Sequence, residues 1–438
     1  MTENKGLRKT LTPFMLWGLG VGYVISGMYF GWNLGLEKGG TGGMAIATIA
    51  IAIMYVTFTF SYTELACSIP QAGGVFDYAN RAMGKNIGFI AGIAQIIEFI
   101  LAPPAIAFAI GAYFNAFFPQ FPILTSAIII YFVFTGLNIY GIKAAASFEV
   151  IVTVLAVGEL LLFSGLALPK SNVENLTHNS FPNGWSGVFG AIPFAIWFFL
   201  GIEGLANVAE ETRNPQRDLS KGFGWAIFTL FVLCILIFIS ATGIAGWEAI
   251  VYKNGVSGET SDSPLPLALA KITGNNHLMY HLLITVGLFG LVASFHGLIL
   301  AAGRSTFEMG RAQNIPSFLG KISPRFQTPA NALFGNMVIG IFALLSGKTS
   351  EIIVISVFGA LTLYIISMIS ILLLRKQEPE LYRPFRVPFY PIFPIVSLTI
   401  ATVSIIAMLI FNLKPGLIYF SILALTFMLY RTFKPSAK

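Results

Sequence analysis

Gly18-Leu19-Gly20-Val21-Gly22-Tyr23-Val24-Ile25-Ser26-Gly27-Met28-Tyr29-Phe30-Gly31 places five glycines in fourteen residues, inside a hydrophobic run that begins near Phe14. Each glycine weakens a helix by about 1 kcal/mol relative to alanine. A membrane helix gives up its backbone hydrogen bonds only where protein or a wet cavity can take them. Two readings follow. Either the small residues let neighbouring helices pack closely, or the chain unwinds at Ile25-Ser26-Gly27 and offers free N–H and C=O groups to a solute. A second weak stretch is Pro193-Phe194-Ala195-Ile196-Trp197-Phe198-Phe199-Leu200-Gly201-Ile202-Glu203-Gly204. It combines a proline, a Gly-x-x-Gly pair and a carboxylate at membrane depth. It follows the first stretch by about one unit of five spans. Matched interruptions of this kind mark the central site of transporters built from inverted repeats.

The composition agrees. Of 438 residues, 56% are hydrophobic and 10% charged, with mean hydropathy +0.78. A soluble domain carries roughly 25% charged residues, so lipid must solvate most of this surface. About twenty apolar residues cross the hydrocarbon core. On that rule spans are expected near 14–36, 42–67, 86–117, 122–141, 148–168, 186–211, 222–245, 280–312, 330–346, 351–375, 390–412 and 415–432. The hydrophobic run near Phe14 is too long for a signal core and is expected to be the first span. The longest connection, 246–279, is expected to hold short surface helices. Cys67 and Cys234 lie far apart and are expected to be apolar fillers rather than a disulfide.

Charge sets the orientation. With the N-terminus inside, twenty of the 26 Lys and Arg fall on the inner side, including Lys5, Arg8, Lys143, Lys434 and Lys438. Lys38, Lys170, Lys253, Lys271, Lys348 and Lys414 remain outside. This bias predicts an even span count, both termini cytoplasmic and a multi-pass inner-membrane location. The net charge of +7 is then membrane-surface charge, not a nucleic-acid footprint.

Ionisable side chains within a bilayer are costly and point to function. Glu98, Glu159, Glu203 and His296 stand out. Glu98 precedes Pro103-Pro104, which free two carbonyls one turn back. Glu203 follows the second interruption, where a carboxyl can carry a proton or latch the broken helix. Glu159 is either a proton-path group or a structural hydrogen bonder. His296 reads as an interior histidine with its hydrogen bonds satisfied. Arg304 and Glu308, four apart, are expected to pair with each other. Three carboxyls at depth against no Lys or Arg favour a protonated amine. An amino acid would also need its carboxylate held, which the Ser26 and Gly27 amides could do.

Other classes lack their signatures. There is no His-Glu-x-x-His, no Gly-x-Ser-x-Gly and no phosphate-binding loop, so a gradient rather than ATP is the expected energy source. No metal site or cofactor is expected.

Five stretches resemble the amino acid–polyamine–organocation (APC) transporter superfamily. They are Ile25-Ser26-Gly27 with Gly39-Gly40, Thr63-Glu64-Leu65-Ala66 through Gly74, Glu210-Glu211-Thr212-Arg213-Asn214-Pro215-Gln216-Arg217-Asp218, Arg304 with Arg311, Pro316 and Thr328-Pro329, and Arg383-Pro384-Phe385-Arg386-Val387-Pro388. Within it, Val24 to Asn33 looks most like ethanolamine permeases, although Ile25 departs from the common Gly-Ser-Gly. The resemblance implies an all-α membrane fold of about twelve helices, as a LeuT-like five-plus-five inverted repeat (14–168 and 186–375) plus two C-terminal helices (390–432), in one domain over 1–438. It implies proton-coupled or exchange transport by alternating access. It places Ile25, Ser26, Gly27, Glu98, Trp197, Phe198, Gly201, Glu203 and Leu298 near the substrate. Trp197 aligns with the gate aromatic and Glu203 with a pH-responsive carboxylate, while Leu298 stands where a related branch has an aromatic.

Overall fold

Long apolar runs punctuated by Gly, Pro and charged clusters fold here into helices. The computed structural model describes residues 9–140, 145–274 and 277–433. Among them there is no strand, only the isolated bridges Leu11–Thr212 and Tyr252–Thr260. Ten helices in this set are long and apolar enough to cross a bilayer, and Pro13–Val24 and Ala330–Leu344 are shorter apolar helices. These elements fall where the sequence places its twelve spans. Lys5, Arg8, Lys143, Lys434 and Lys438, part of the charge argument, lie outside the described residues.

The first span is in pieces: Pro13–Val24, Ser26–Tyr29, then a helix that resumes at Asn33. That helix turns at Gly40 (φ 62°, ψ −173°) and continues as the second span to Ser68. Gly is required at the turn both by its φ and by the Ser180 carbonyl and Pro182 ring, which leave no room for a Cβ. The third to fifth spans are Lys85–Phe117, Ile123–Tyr140 and Ala145–Ala167. The sixth starts at Gly184, and the seventh and eighth are Pro215–Ala245 and Leu278–Arg311. Ala330–Leu344, Thr349–Gln377, Ile392–Phe411 and Leu413–Phe433 complete the bundle. The connection 246–279 contains two short helices, Glu248–Val251 and Pro264–Thr273.

Burial separates inner from outer spans. The most apolar windows of the third and sixth spans are 94% and 89% buried, whereas those of the fourth and twelfth are 22% buried. The outer spans present Ile129, Phe132, Leu137, Leu425 and Met428 outward, as a lipid-facing surface must. The first span packs on the fifth, seventh and eighth, and the sixth packs along the second, tenth and eleventh. The two interrupted helices therefore meet inside the protein. Cys67 and Cys234 are buried and unpaired.

Candidate functional site

The sixth span breaks where the sequence places the break. Helix Gly184–Trp197 stops, Phe198 to Leu200 form turns, and Gly201 adopts φ 102°. A ten-residue 3₁₀ helix, Ile202–Glu211, follows. In the first span the interruption is narrower and later than Ile25-Ser26-Gly27. Ile25 keeps right-handed helical angles and its N–H reaches the Val21 carbonyl. One bond is diverted: the Ser26 N–H donates to Ser294 Oγ at 2.9 Å, and that hydroxyl donates to the Gly22 carbonyl at 2.6 Å. A hydroxyl from the eighth span is thus spliced into the helix. The fully extended residue is Phe30 (φ −159°, ψ 172°), followed by Gly31 at φ 87°.

The two breaks touch. A Cβ at Gly27 would collide with the Trp197 carbonyl and stand 3.1 Å from Phe198 Cα. The Trp197 ring lies over Gly31, with Phe30 edge-on at 5.5 Å, and Trp32 stacks on Phe198 at 5.4 Å. Gly201 faces Leu298 and the Tyr23 carbonyl. Ile25, Ser26, Gly27, Trp197, Phe198, Gly201 and Leu298 therefore form one contiguous patch. Its backbones are in van der Waals contact.

Beside the patch is an acidic pair. Glu98 and Glu203 are both fully buried, and their carboxyls are close enough to interact electrostatically. Neither oxygen of Glu98, nor Glu203 Oε1, has a hydrogen-bond partner of good geometry. Glu203 Oε2 accepts from the Tyr364 hydroxyl at 3.0 Å, which lies 2.9 Å from the Tyr55 hydroxyl. Tyr55 in turn packs on Phe199 at 5.1 Å. Span ten holds Glu98 from behind, through Gly359 and a 2.9 Å bond from Ser356 Oγ to the Glu98 carbonyl. The third span runs unbroken through Pro103 and Pro104.

Glu159 lies apart from this pair. It accepts a 2.6 Å bond from Tyr29, whose carbonyl is held by Tyr113. His296 is satisfied as expected, but by an acid that sequence reasoning did not single out: Glu149 Oε2 lies 3.2 Å from His296 Nδ1. The expected Arg304–Glu308 pair does not form. Arg304 reaches Glu211 at 2.6 Å, and Glu308 is taken by Arg311 at 2.6 Å. The reason is that the 3₁₀ helix of the sixth span delivers buried Glu211 to buried Arg304 on the eighth span, while Arg311 takes Glu308. Tyr55, Tyr364, Ser294 and Glu149 were missed. A phenol or an acid inside an apolar span needs a partner, and that was the one legible signal for Tyr55, Tyr364 and Glu149.

Both faces of the site are shut. On the N-terminal side, Thr10 and Leu11 donate to the Glu211 carbonyl at 2.8 and 3.0 Å, beside the Arg304–Glu211 pair. On the opposite side, Asn33 Nδ2 donates to the Ser261 carbonyl at 2.8 Å, tying the long connection to the resumed first span. The next residue, half-buried Asp262, accepts from Thr349 Oγ1 at 3.1 Å. Burial pushes the Asp262 carboxyl up to about 6, against the smaller opposing effects of Thr349 and Lys253.

A family profile described as amino acid permease matches residues 11–429. The chain is 28% identical to the branched-chain amino acid permease BcaP of Bacillus subtilis, over 95% of this chain and 93% of that one. It is 26% identical to the methylthioribose transporter of the same organism, over 90% and 87%. It is 25% identical to the low-affinity putrescine importer PlaP of Escherichia coli, over 89% and 87%.

Proposed function

Because the chain belongs to the amino acid permease family, a family of transporters and not enzymes, we propose that it takes up a small protonated amine, ethanolamine foremost, by proton-coupled alternating access. The observation that carries this reading is the Glu98–Glu203 pair, buried beside the meeting point of the two breaks, carboxyl facing carboxyl, with three of its four oxygens lacking a donor of good geometry. No Lys or Arg enters its hydrogen-bond network among the described residues. An ammonium group brings the missing donors and the missing positive charge together. Within the pair, Glu203 is the carboxyl that carries the coupling proton. Glu159, bonded to Tyr29 at the end of the first span's second piece, serves the proton path on the opposite side. Trp197 is the gate that must swing off Gly31.

In this reading residues 14–168 and 186–375 are the two inverted repeats and 390–432 the added helices. The inner side carries both termini and the Arg304–Glu211 lock, in the cell's inner membrane. The second reading, an amino-acid permease or exchanger, draws on the relatives named for amino acids. Against it stands the Ser26 N–H, one of the two amides it needs for a carboxylate, which is engaged by Ser294.

Uptake of labelled ethanolamine into proteoliposomes, against a panel of putrescine, alanine, leucine and methylthioribose, tests the choice. Saturable ethanolamine uptake inhibited by other small amines is expected. Strong competition among amino acids with no ethanolamine effect would establish the second reading.

A further inference from the structure

A cavity of about 500 Å³ opens on the flank of the bundle, away from the amine site. Sites for small molecules span roughly 300–1,000 Å³. The floor of the cavity is the third span, through Ile93, Ile96 and Ile100, all buried. Glu98 stands two positions from both Ile96 and Ile100, about 200° round the helix. The cavity and the acidic pair therefore use opposite faces of one span. The rim is the ninth span and the segment before it. Phe334 is 57% exposed, Phe318 54% and Ile339 51%, so the cavity opens onto the apolar outer surface that faces lipid.

The short ninth span leaves this space. Ala330–Leu344 has 15 residues and is about 22 Å long, against about 30 Å of hydrocarbon. The preceding 3₁₀ turn, Ser317–Gly320, folds beneath it and is held there by a 2.9 Å bond from Asn331 Nδ2 to the Phe318 carbonyl. The cavity is thus built by the fold. Within its apolar lining, Thr306 Oγ1 donates to Asn336 Oδ1 at 3.1 Å. Asn336 is only 7% exposed, and its Nδ2 has no acceptor. An unpaired buried N–H costs free energy. The occupant that suits these walls has a long apolar body and one acceptor oxygen.

Charge identifies the rest of the occupant. From 312 to 347 the sequence contains no acidic residue, and Lys321 and Arg325 are its only charged ones. Both are exposed, and Lys321 directly follows the 3₁₀ turn. Thr306 precedes Arg311, the last residue of the eighth span, by five positions, about 7.5 Å along the helix. The headgroup layer is about 5–7.5 Å deep on each side of the hydrocarbon. Cations at headgroup level therefore stand above an amide at the depth of an acyl ester. We propose that this cavity binds one anionic phospholipid from the leaflet that Arg311, Lys321 and Arg325 face. An acyl chain lies along Ile93, Ile96 and Ile100, an ester carbonyl accepts from Asn336 Nδ2, and the phosphate faces Lys321 and Arg325. The site is separate from the amine site and holds whatever solute the protein carries.

The test titrates the delipidated full chain in detergent with dioleoyl phosphatidylglycerol and counts bound lipids by native mass spectrometry. One lipid per chain is expected to bind ahead of the rest. Dioleoyl phosphatidylcholine, without net charge, is expected to bind about tenfold or more weakly, and glycerol 3-phosphate, without chains, not to bind. Gly335 lines the cavity, and a Cβ there meets only Leu319, at 3.6 Å. Gly335→Leu therefore fills the space at little cost to the fold, and should weaken the first lipid about tenfold or more. Lys321→Gln with Arg325→Gln should bring phosphatidylglycerol down to the phosphatidylcholine level. Those two side chains are exposed, so the double variant decides the matter if Gly335→Leu fails to fold. Equal binding of the two lipids, a first lipid held as tightly in either variant as in the unsubstituted chain, or glycerol 3-phosphate bound as tightly as the lipid would overturn the proposal.

Discussion

Gly27 is the residue on which the two interruptions bear, because its missing side chain lets the first span lie on the Trp197 carbonyl. Trp197 is the bulkiest group there, with its indole over Gly31 and its Nε1 buried without a partner. An unpaired buried donor costs free energy, so the closed arrangement gains if a solute or water supplies an acceptor. Trp197→Ala is therefore expected to weaken apparent affinity by about tenfold, the factor for about 1.4 kcal/mol, and to raise leak through the closed state. Initial-rate uptake over a range of solute concentrations measures both. Wild-type affinity and rate would remove Trp197 from the gate. The weak stretches were legible in the sequence from their clustered glycines, whereas proline alone marked no break, since Pro103, Pro104 and Pro193 all sit inside helices. The splice by Ser294 was not, since a lone serine in an apolar span has many local partners, commonly a carbonyl one turn back. Nor was the pairing of Arg304, because helical spacing offered Glu308 and only the folded chain brings Glu211 alongside.

At the scale of elements, the interruptions are held by neighbours rather than by their own sequence. The 3₁₀ helix Ile202–Glu211 is pinned by Thr10 and Leu11 at one end, and Asn207 bonds Gln95 and the Ala72 carbonyl along its length. The resumed first span is pinned by the long connection through Asn33 and Ser261. Asp262 makes that second clasp sensitive to pH. Its carboxyl ordinarily titrates at 3.8 and is raised to about 6 in the folded protein, by burial. A raised acid favours the folded arrangement while protonated. The clasp is therefore tightest below the ordinary value and loosens as pH rises through about 6. Hydrogen exchange over residues 250–263, corrected for intrinsic rates, should show less protection at about pH 7.5 than at about pH 4.5. Asp262→Asn should flatten the difference, and an unchanged difference in that variant would place the effect elsewhere. Sequence showed that this connection held short helices. It could not show which loop residue would be covered, since that depends on Thr349 of the tenth span.

The whole molecule joins sequence motifs that looked independent. Glu64 of the second stretch receives Arg375 through two 2.7 Å bonds and the Val387 N–H at 2.7 Å, and it lies 3.3 Å from Arg383 of the fifth. Glu210 of the third accepts from the Ala72 N–H of the second at 3.2 Å, and Glu211 takes Arg304 of the fourth. Motifs spread over more than three hundred residues thus close one face of one bundle. The span count was legible because hydropathy is a property of whole segments. The site was legible only in part, because partners for Glu98 and Glu203 come from distant spans. Beside the two interruptions is a buried acidic pair with no Lys or Arg bonded to it among the described residues, and the proposed amine reading stands on that pair. Equilibrium binding of labelled ethanolamine to the purified full chain tests it most directly, in the unsubstituted protein and in Glu98→Gln. Removing a buried charge partner costs at least about 2 kcal/mol, a factor of about thirty in affinity. The account predicts saturable binding that small amines displace and alanine does not, weakened by at least that factor in Glu98→Gln. Binding of equal strength in both proteins, or displacement by alanine as readily as by ethylamine, would contradict it.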